Sequence, residues 1–118
     1  MYTCQKADEY IEKNRVDRAD KPEFHLTTPV GWLNDPNGFS IYGGKAHLFY
    51  QFHPYSTEWG PMHWGHSTSD DFIRWEELPT ALAPDSDYDA FGCFSGTAIE
   101  NDGKHVLFYT GVVEEKLA

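Results

Sequence analysis

Gly38-Phe39-Ser40-Ile41-Tyr42-Gly43-Gly44-Lys45-Ala46-His47-Leu48-Phe49-Tyr50 places two strand-like runs on either side of a Gly-Gly pair. Short runs rich in β-branched and aromatic residues read as strands, and Gly-Gly accepts the positive φ that a tight hairpin turn demands. The pattern returns at Gly96-Thr97-Ala98-Ile99-Glu100, then Asn101-Asp102-Gly103, then Lys104-His105-Val106-Leu107-Phe108-Tyr109. Both hairpins carry Gly-Lys-x-x-Leu-Phe-Tyr, at Gly44 to Tyr50 and again at Gly103 to Tyr109, an offset of 59 residues. A hairpin recurring at that spacing leaves room for about four strands per repeat, which is the content of a β-propeller blade. Met62 to Ser69 and Phe72 to Glu77 are the expected intervening strands of the first blade. The fold class is therefore all-β, with about the first one to two blades of a propeller. A propeller closes only when its last blade meets its first. Because the chain runs only to Glu114-Glu115-Lys116-Leu117-Ala118 after the second hairpin, it is expected to be a piece of a larger one. Alone it would present an open sheet edge prone to pairing.

Ahead of these hairpins, Ala7, Tyr10 and Ile11 recur at helical spacing and predict a short amphipathic helix over Lys6 to Asn14. Asn14 to Glu23 is charged and patternless, a connector. Residues 1–23 thus form a helix and connector, and residues 24–118 form the first, incomplete part of the propeller domain. The chain carries 19 acidic against 9 basic residues, a net charge of −10. That excludes nucleic acid and anionic membrane surfaces as expected partners, since both call for a basic face. Met1 to Phe24 holds no apolar run suited to a signal peptide or membrane span. The only cysteines, Cys4 and Cys93, match no metal or redox spacing, so a cytoplasmic protein with reduced thiols is expected. Four Trp, seven Tyr and eight Phe make 16% of the chain aromatic. Such density suits both a β-rich core and rings on which sugars stack.

The chemistry-bearing stretch is Trp32-Leu33-Asn34-Asp35-Pro36-Asn37-Gly38. Pro36 pushes Asp35 toward extended backbone, and Asn37-Gly38 tolerate the left-handed conformations of a chain reversal into the next strand. One carboxylate is thereby held between an indole and two amides, a setting suited to a nucleophile that attacks a sugar. An Asx residue that merely caps its own turn fits the same heptapeptide. Gln51 follows the first hairpin, and its amide suits either sugar hydroxyls or a buried backbone partner. Trp59 lies in loop-like Glu58-Trp59-Gly60-Pro61, a context that favours a sugar platform over core. His63 and His66 invite a metal reading, but residues three apart on a strand face opposite sides, so no metal site is expected. Phe94-Ser95-Gly96 opens the second hairpin with a ring and a hydroxyl. Asp70-Asp71 and Glu76-Glu77 read as solvated turns. None of the other carboxylates, Asp85, Asp87, Asp89 and Glu100 among them, is marked out as the second carboxyl that a retaining glycosidase needs.

Taken in order, Trp32 to Gly38, Phe49-Tyr50-Gln51-Phe52-His53-Pro54, Trp59-Gly60-Pro61, His63-Trp64-Gly65-His66-Ser67, Phe94-Ser95-Gly96 and Tyr109-Thr110-Gly111 resemble glycoside hydrolase family 32, the invertase and fructan hydrolase family. Gly60 to His66 and Tyr88 to Gly96 look most like its bacterial intracellular branch, the sucrose-6-phosphate hydrolases. The resemblance implies a five-bladed propeller with a central funnel for a β-fructofuranoside. It implies Asp35 as the nucleophile, with Trp32, Asn34, Gln51, Trp59, Phe94 and Ser95 lining the fructose pocket, and no cofactor. Two family features are missing: the Arg-Asp-Pro motif of the transition-state stabiliser and the Glu-Cys motif of the general acid. Cys93 follows Gly92 instead. The family's C-terminal β-sandwich is also missing. The acid half of the site is accordingly expected beyond Ala118, and residues 1–118 alone are expected to show negligible turnover. The expected activity is hydrolysis of β-fructofuranosides such as sucrose, sucrose 6-phosphate or fructans. Fructosyl transfer through the same nucleophile and a non-catalytic sugar-binding module are the alternatives.

Overall fold

The computed structural model describes residues 1–17, 19 and 21–114. Arg18 and Asp20 of the expected connector, and 115–118, lie outside the described residues. One helix and six strands follow in order: α1 (Cys4–Asn14), β1 (Trp32–Tyr42), β2 (Lys45–His53), β3 (His63–Ser69), β4 (Glu76–Leu82), β5 (Gly92–Asn101) and β6 (Lys104–Val112). Strands β1 to β4 form one antiparallel sheet in sequential order, and β5 pairs with β6 in a second. The architecture is one complete four-stranded blade and the first two strands of the next.

Both hairpin turns form where the glycines predict them. Gly43 and Gly44 have φ of 60° and 76°, and Asp102 and Gly103 have 50° and 72°. Positive φ at both central positions twists the turn in the sense of the flanking strands. Asn101 is paired with Lys104, so the second connection is two residues long rather than the expected three. The helix begins two residues earlier than its apolar spacing indicated, because Thr3 caps it by accepting from Lys6 N at 3.2 Å. Residues 24–31 form no strand, yet Leu26 and Val30 pack into the core.

One strand is displaced from its expected position. The strand expected over Phe72 to Glu77 lies instead at Glu76–Leu82, and Glu76-Glu77 belong to it rather than to a turn. The Asp71 carboxylate accepts from the backbone N–H groups of Ile73 and Arg74, and Ser69 Oγ accepts from those of Asp71 and Phe72. These local bonds divert residues 70–74 into a turn in which Phe72 adopts a φ of 65°.

The period of two along β2 divides its side chains between two cores. Tyr50 and Phe52 join Ile11, Leu26, Val30 and Leu33 on the helix side. Phe49 meets Trp64, Cys93, Ala98 and Leu107 between the two sheets. The second sheet is further latched by Tyr42 Oη donating to Gly103 O at 2.8 Å and by Ser40 Oγ, 2.8 Å from His105 Nε2. Helix α1 covers the outer edge of the first sheet. Asp8 Oδ1 accepts from the Thr80 N–H of β4 at 2.8 Å, and Arg15 forks onto Glu77 at 2.9 and 3.0 Å. An edge amide satisfied in this way is shielded from pairing with another chain.

Candidate active site

The heptapeptide does not reverse the chain; Trp32 to Gly38 is the first half of an unbroken strand. Leu33 pairs with Phe52 and Pro36 with Tyr50, so Asn34 and Asp35 together oppose the single residue Gln51. A second irregularity lies between Asn37 and Ser40, where Gly38 has a φ of 55°. Gly38 alone takes the left-handed turn; Asn37 does not. Bulges of this kind bend a strand and re-aim its side chains. Pro36 is tolerated because β1 lies at the edge of its sheet.

The bulge exposes Asp35 and leaves Asn34 half-buried. Trp32 Nε1 donates to Asn34 Oδ1 at 2.9 Å, orienting the amide beside the carboxylate. The capping alternative is not realised. Among the described residues no backbone N–H donates to Asp35, whereas Asp71 accepts two at 2.9 and 2.8 Å. Gln51 is buried and donates from Nε2 to Cys93 O at 3.0 Å, tying the first sheet to the start of β5. Phe94 O accepts from Trp64 Nε1 at 3.1 Å, a second tie at the next residue. Phe94 pairs with Thr110 and Gly96 with Tyr109, leaving Ser95 as the extra residue of another bulge, exposed.

Trp59 projects from the β2–β3 loop with 46% of its surface exposed. Its ring lies 5.9 Å from Phe91 and 6.1 Å, edge-on, from Phe94. His53 Nδ1–H donates to Glu58 O at 3.0 Å and so holds that loop in place. The structure therefore brings together Trp32 with Asn34, Gln51 with the start of β5, and Trp59 with Phe94. Among the described residues no hydrogen bond or ion pair joins the side chains of Asp35 or Ser95 to the others. His53, Asp89 and Phe91 belong to this environment but were missed. Their roles are set by loop packing, and the only sequence signal was proximity to the motifs.

The two histidines three apart do face opposite sides. His63 is fully buried on the helix side between the rings of Tyr2 and Tyr55, and its Nδ1–H donates to Pro61 O at 2.9 Å. Burial pushes its pKa down to about 4. His66 lies on the inter-sheet side, its Nε2 2.9 Å from His47 Nδ1. Burial, then His47 and His105, push its pKa down to about 4. Among the described residues no cluster of His, Cys, Asp or Glu is arranged to hold a metal ion. Cys4 and Cys93 are unbridged, and burial pushes the Cys93 thiol well above its ordinary range.

An exposed carboxylate on the edge strand of a propeller-type blade, in a chain that also presents an exposed indole at Trp59, is chemistry suited to glycoside-processing proteins. Residues 25–118 match the model of the glycosyl hydrolases family 32 N-terminal domain, and the chain belongs to that family. It is 55% identical over 92 residues to a sucrose-6-phosphate hydrolase of Escherichia coli, covering 78% of this chain and 19% of that one. It is 53% identical over 107 residues to the raffinose invertase of Escherichia coli, covering 89% of this chain and 22% of that one. Among solved structures, the Bombyx mori GH32 beta-fructofuranosidase BmSUC1 superposes with a TM-score of 0.86 at 49% identity, over 96% of this chain and 24% of the other. The chain thus spans about a fifth to a quarter of the length of these relatives. No helix among the described residues is long and apolar enough to cross a membrane.

Proposed function

We propose that the protein hydrolyses terminal β-D-fructofuranoside bonds of sucrose-like substrates by a retaining double displacement, with Asp35 as nucleophile. The observation that carries this reading is the bulge opposite Gln51, which presents Asp35 exposed and uncapped beside the Trp32–Asn34 pair. Exposed and without a hydrogen-bond partner among the described residues, the Asp35 carboxylate has both oxygens open to an approaching anomeric carbon. Its oxygen forms a bond to the anomeric carbon of the fructosyl unit as the glycosidic C–O bond breaks. A proton from a second carboxyl, standing about 5 Å from the nucleophile, goes to the leaving oxygen. Water then attacks the fructosyl ester, the same group takes its proton, and fructose leaves with its configuration retained.

Trp32, Asn34, Trp59, Phe94 and Ser95 form the proposed sugar-binding surface. Rings supply apolar faces for sugar C–H groups, while the amide and hydroxyl supply hydrogen bonds. Gln51 supports that surface from beneath through Cys93 O. The names of relatives, from sucrose-6-phosphate hydrolase to raffinose invertase, support a β-fructoside as the substrate class. Two unbridged cysteines support a reducing, cytoplasmic setting.

The test is sucrose hydrolysis by the protein expressed from its complete gene, with the anomer first released followed by NMR. Release of β-fructofuranose is expected, and Asp35→Asn should lower kcat on the order of 10⁴-fold, the scale of removing one catalytic group. Sucrose binding without turnover, or an Asp35→Asn variant as fast as wild type, would overturn the reading.

A further inference from the structure

We propose that Asp89 is a positioning residue, whose buried carboxylate holds the start of β5, and with it Phe94 and Ser95, in register with the Asp35 bulge. The proposal rests on the reading of Phe94 and Ser95 as sugar-binding residues. Asp89 is 2% exposed, although it sits in Asp85-Ser86-Asp87-Tyr88-Asp89, a run that looks solvated. Three donors from three segments converge on it. Tyr109 Oη of β6 donates to Oδ2 at 2.7 Å, Cys93 Sγ of β5 donates to the same oxygen at 3.6 Å, and the Ser86 N–H of its own loop donates to Oδ1 at 2.9 Å. No cation pairs with it among the described residues. Removing a carboxyl from water is costly unless its oxygens are satisfied, so three converging donors mark a built arrangement.

The loop cannot shift independently of the strands. Phe91 N–H donates to Val112 O at 2.8 Å, and a Cβ on Gly111 of β6 would lie 2.5 Å from Tyr88 O, so the loop backbone rests directly on β6. From Asp89 the connection runs to Cys93, whose N–H donates to Met62 O at 2.8 Å and whose carbonyl accepts from Gln51 Nε2 at 3.0 Å. Gln51 is the residue that the Asn34–Asp35 bulge faces. A short series of hydrogen bonds thus joins the buried carboxyl, through Cys93, to Gln51, the residue across the ladder from the bulge. Among its effects, hydrogen bonding to Asp89 helps burial keep the Tyr109 phenol protonated well above its ordinary range.

The variants Asp89→Ala and Asp89→Asn test this in the protein expressed from its complete gene. Asp89→Ala should raise KM for sucrose about tenfold, the scale of a lost hydrogen bond to a charged group. Its kcat should stay within about threefold, because nothing ties Asp89 to β1 directly and Asp35 keeps its place. Asp89→Asn retains an acceptor and the shape, and should recover most of the KM. In that variant the Tyr109 phenol should ionise at lower pH, read from phenolate absorbance. A folded Asp89→Ala with unchanged KM overturns the proposal. So does a variant with less active protein but wild-type KM, which marks a purely structural role. Failure of the functional reading shows differently: wild type without turnover, or Asp35→Asn with full activity.

Discussion

Burial of His63 should make the protein acid-sensitive. Its Nδ1–H is committed to Pro61 O at 2.9 Å, so the neutral ring carries its lone pair on Nε2. Among the described residues that atom is buried without a hydrogen-bond partner, in a ring that lies between those of Tyr2 and Tyr55. Protonation would place an N–H where nothing accepts it, which is why burial holds the folded pKa near 4 against an ordinary 6.5. The unfolded chain binds a proton on this ring near pH 6.5 and the folded one does not, so stability falls as pH drops below that value. The loss continues until the folded pKa is passed. Each pH unit inside this window is worth about 1.4 kcal/mol, so between pH 7 and pH 5 this ring removes about 2 kcal/mol. Urea unfolding at both pH values, followed by tryptophan fluorescence, measures the loss. His63→Gln has no titrating ring, so its loss over that interval should be smaller by about 2 kcal/mol, the contributions of His66 and the carboxylates being common to both proteins. Equal losses in the two proteins, or an NMR titration placing the His63 ring near 6.5, would refute the reasoning.

Two further outcomes follow from positions around the site. Gly38→Ala forces a side chain into left-handed backbone at φ 55°, with its Cβ 2.9 Å from Phe49 Cδ2. The cost should be about 2 kcal/mol, visible as a lowered thermal midpoint, and an unchanged midpoint would show that the bulge does not need glycine. Trp59→Ala removes a ring that is 46% exposed. Stability should fall by about 1 kcal/mol, the scale of its ring contacts with Phe91 and Phe94, while KM for sucrose rises on the order of tenfold; a stability loss without a KM change would make Trp59 a packing residue only.

Residues whose structure is decided locally were legible from the sequence. Gly43-Gly44 and Asp102-Gly103 carry their turn chemistry with them, and both hairpins formed there. The strand after Ser69 was not legible, because Asp71 and Ser69 draw four backbone N–H groups into a turn that competes with the ladder. The bulges were hidden for a different reason. A register shift is a relation between two strands, and Asn34-Asp35 reads as one more pair of residues until Gln51 is seen opposite. Asp35 was legible as a candidate, but its exposure and lack of a cap were not. Asp89 was illegible altogether: its neighbours Asp85 and Asp87 are exposed while it is buried, a difference made by Tyr109 and Cys93.

The same contrast explains why the candidate site is divided as it is. Strands β2 and β3 pair without interruption from Ala46 and Ser69 to Phe52 and His63, and they supply Gln51, His63 and Trp64. These side chains hold carbonyls in neighbouring segments, at Cys93, Pro61 and Phe94. The exposed candidates lie elsewhere: Asp35 on β1, Ser95 on β5 and Trp59 on a loop. Among the described residues β1 has a ladder partner on one side only, and β5 pairs with β6 alone. An extra residue in β2 would break hydrogen bonds to both β1 and β3, whereas in β1 it disturbs only the bonds to β2. Irregular backbone that re-aims a carboxylate is therefore least costly on an edge strand, and a regular interior strand is best suited to anchor it. It follows that changes at Gln51 or Trp64 should act through stability and site geometry together, while changes at Asp35 or Ser95 should spare stability.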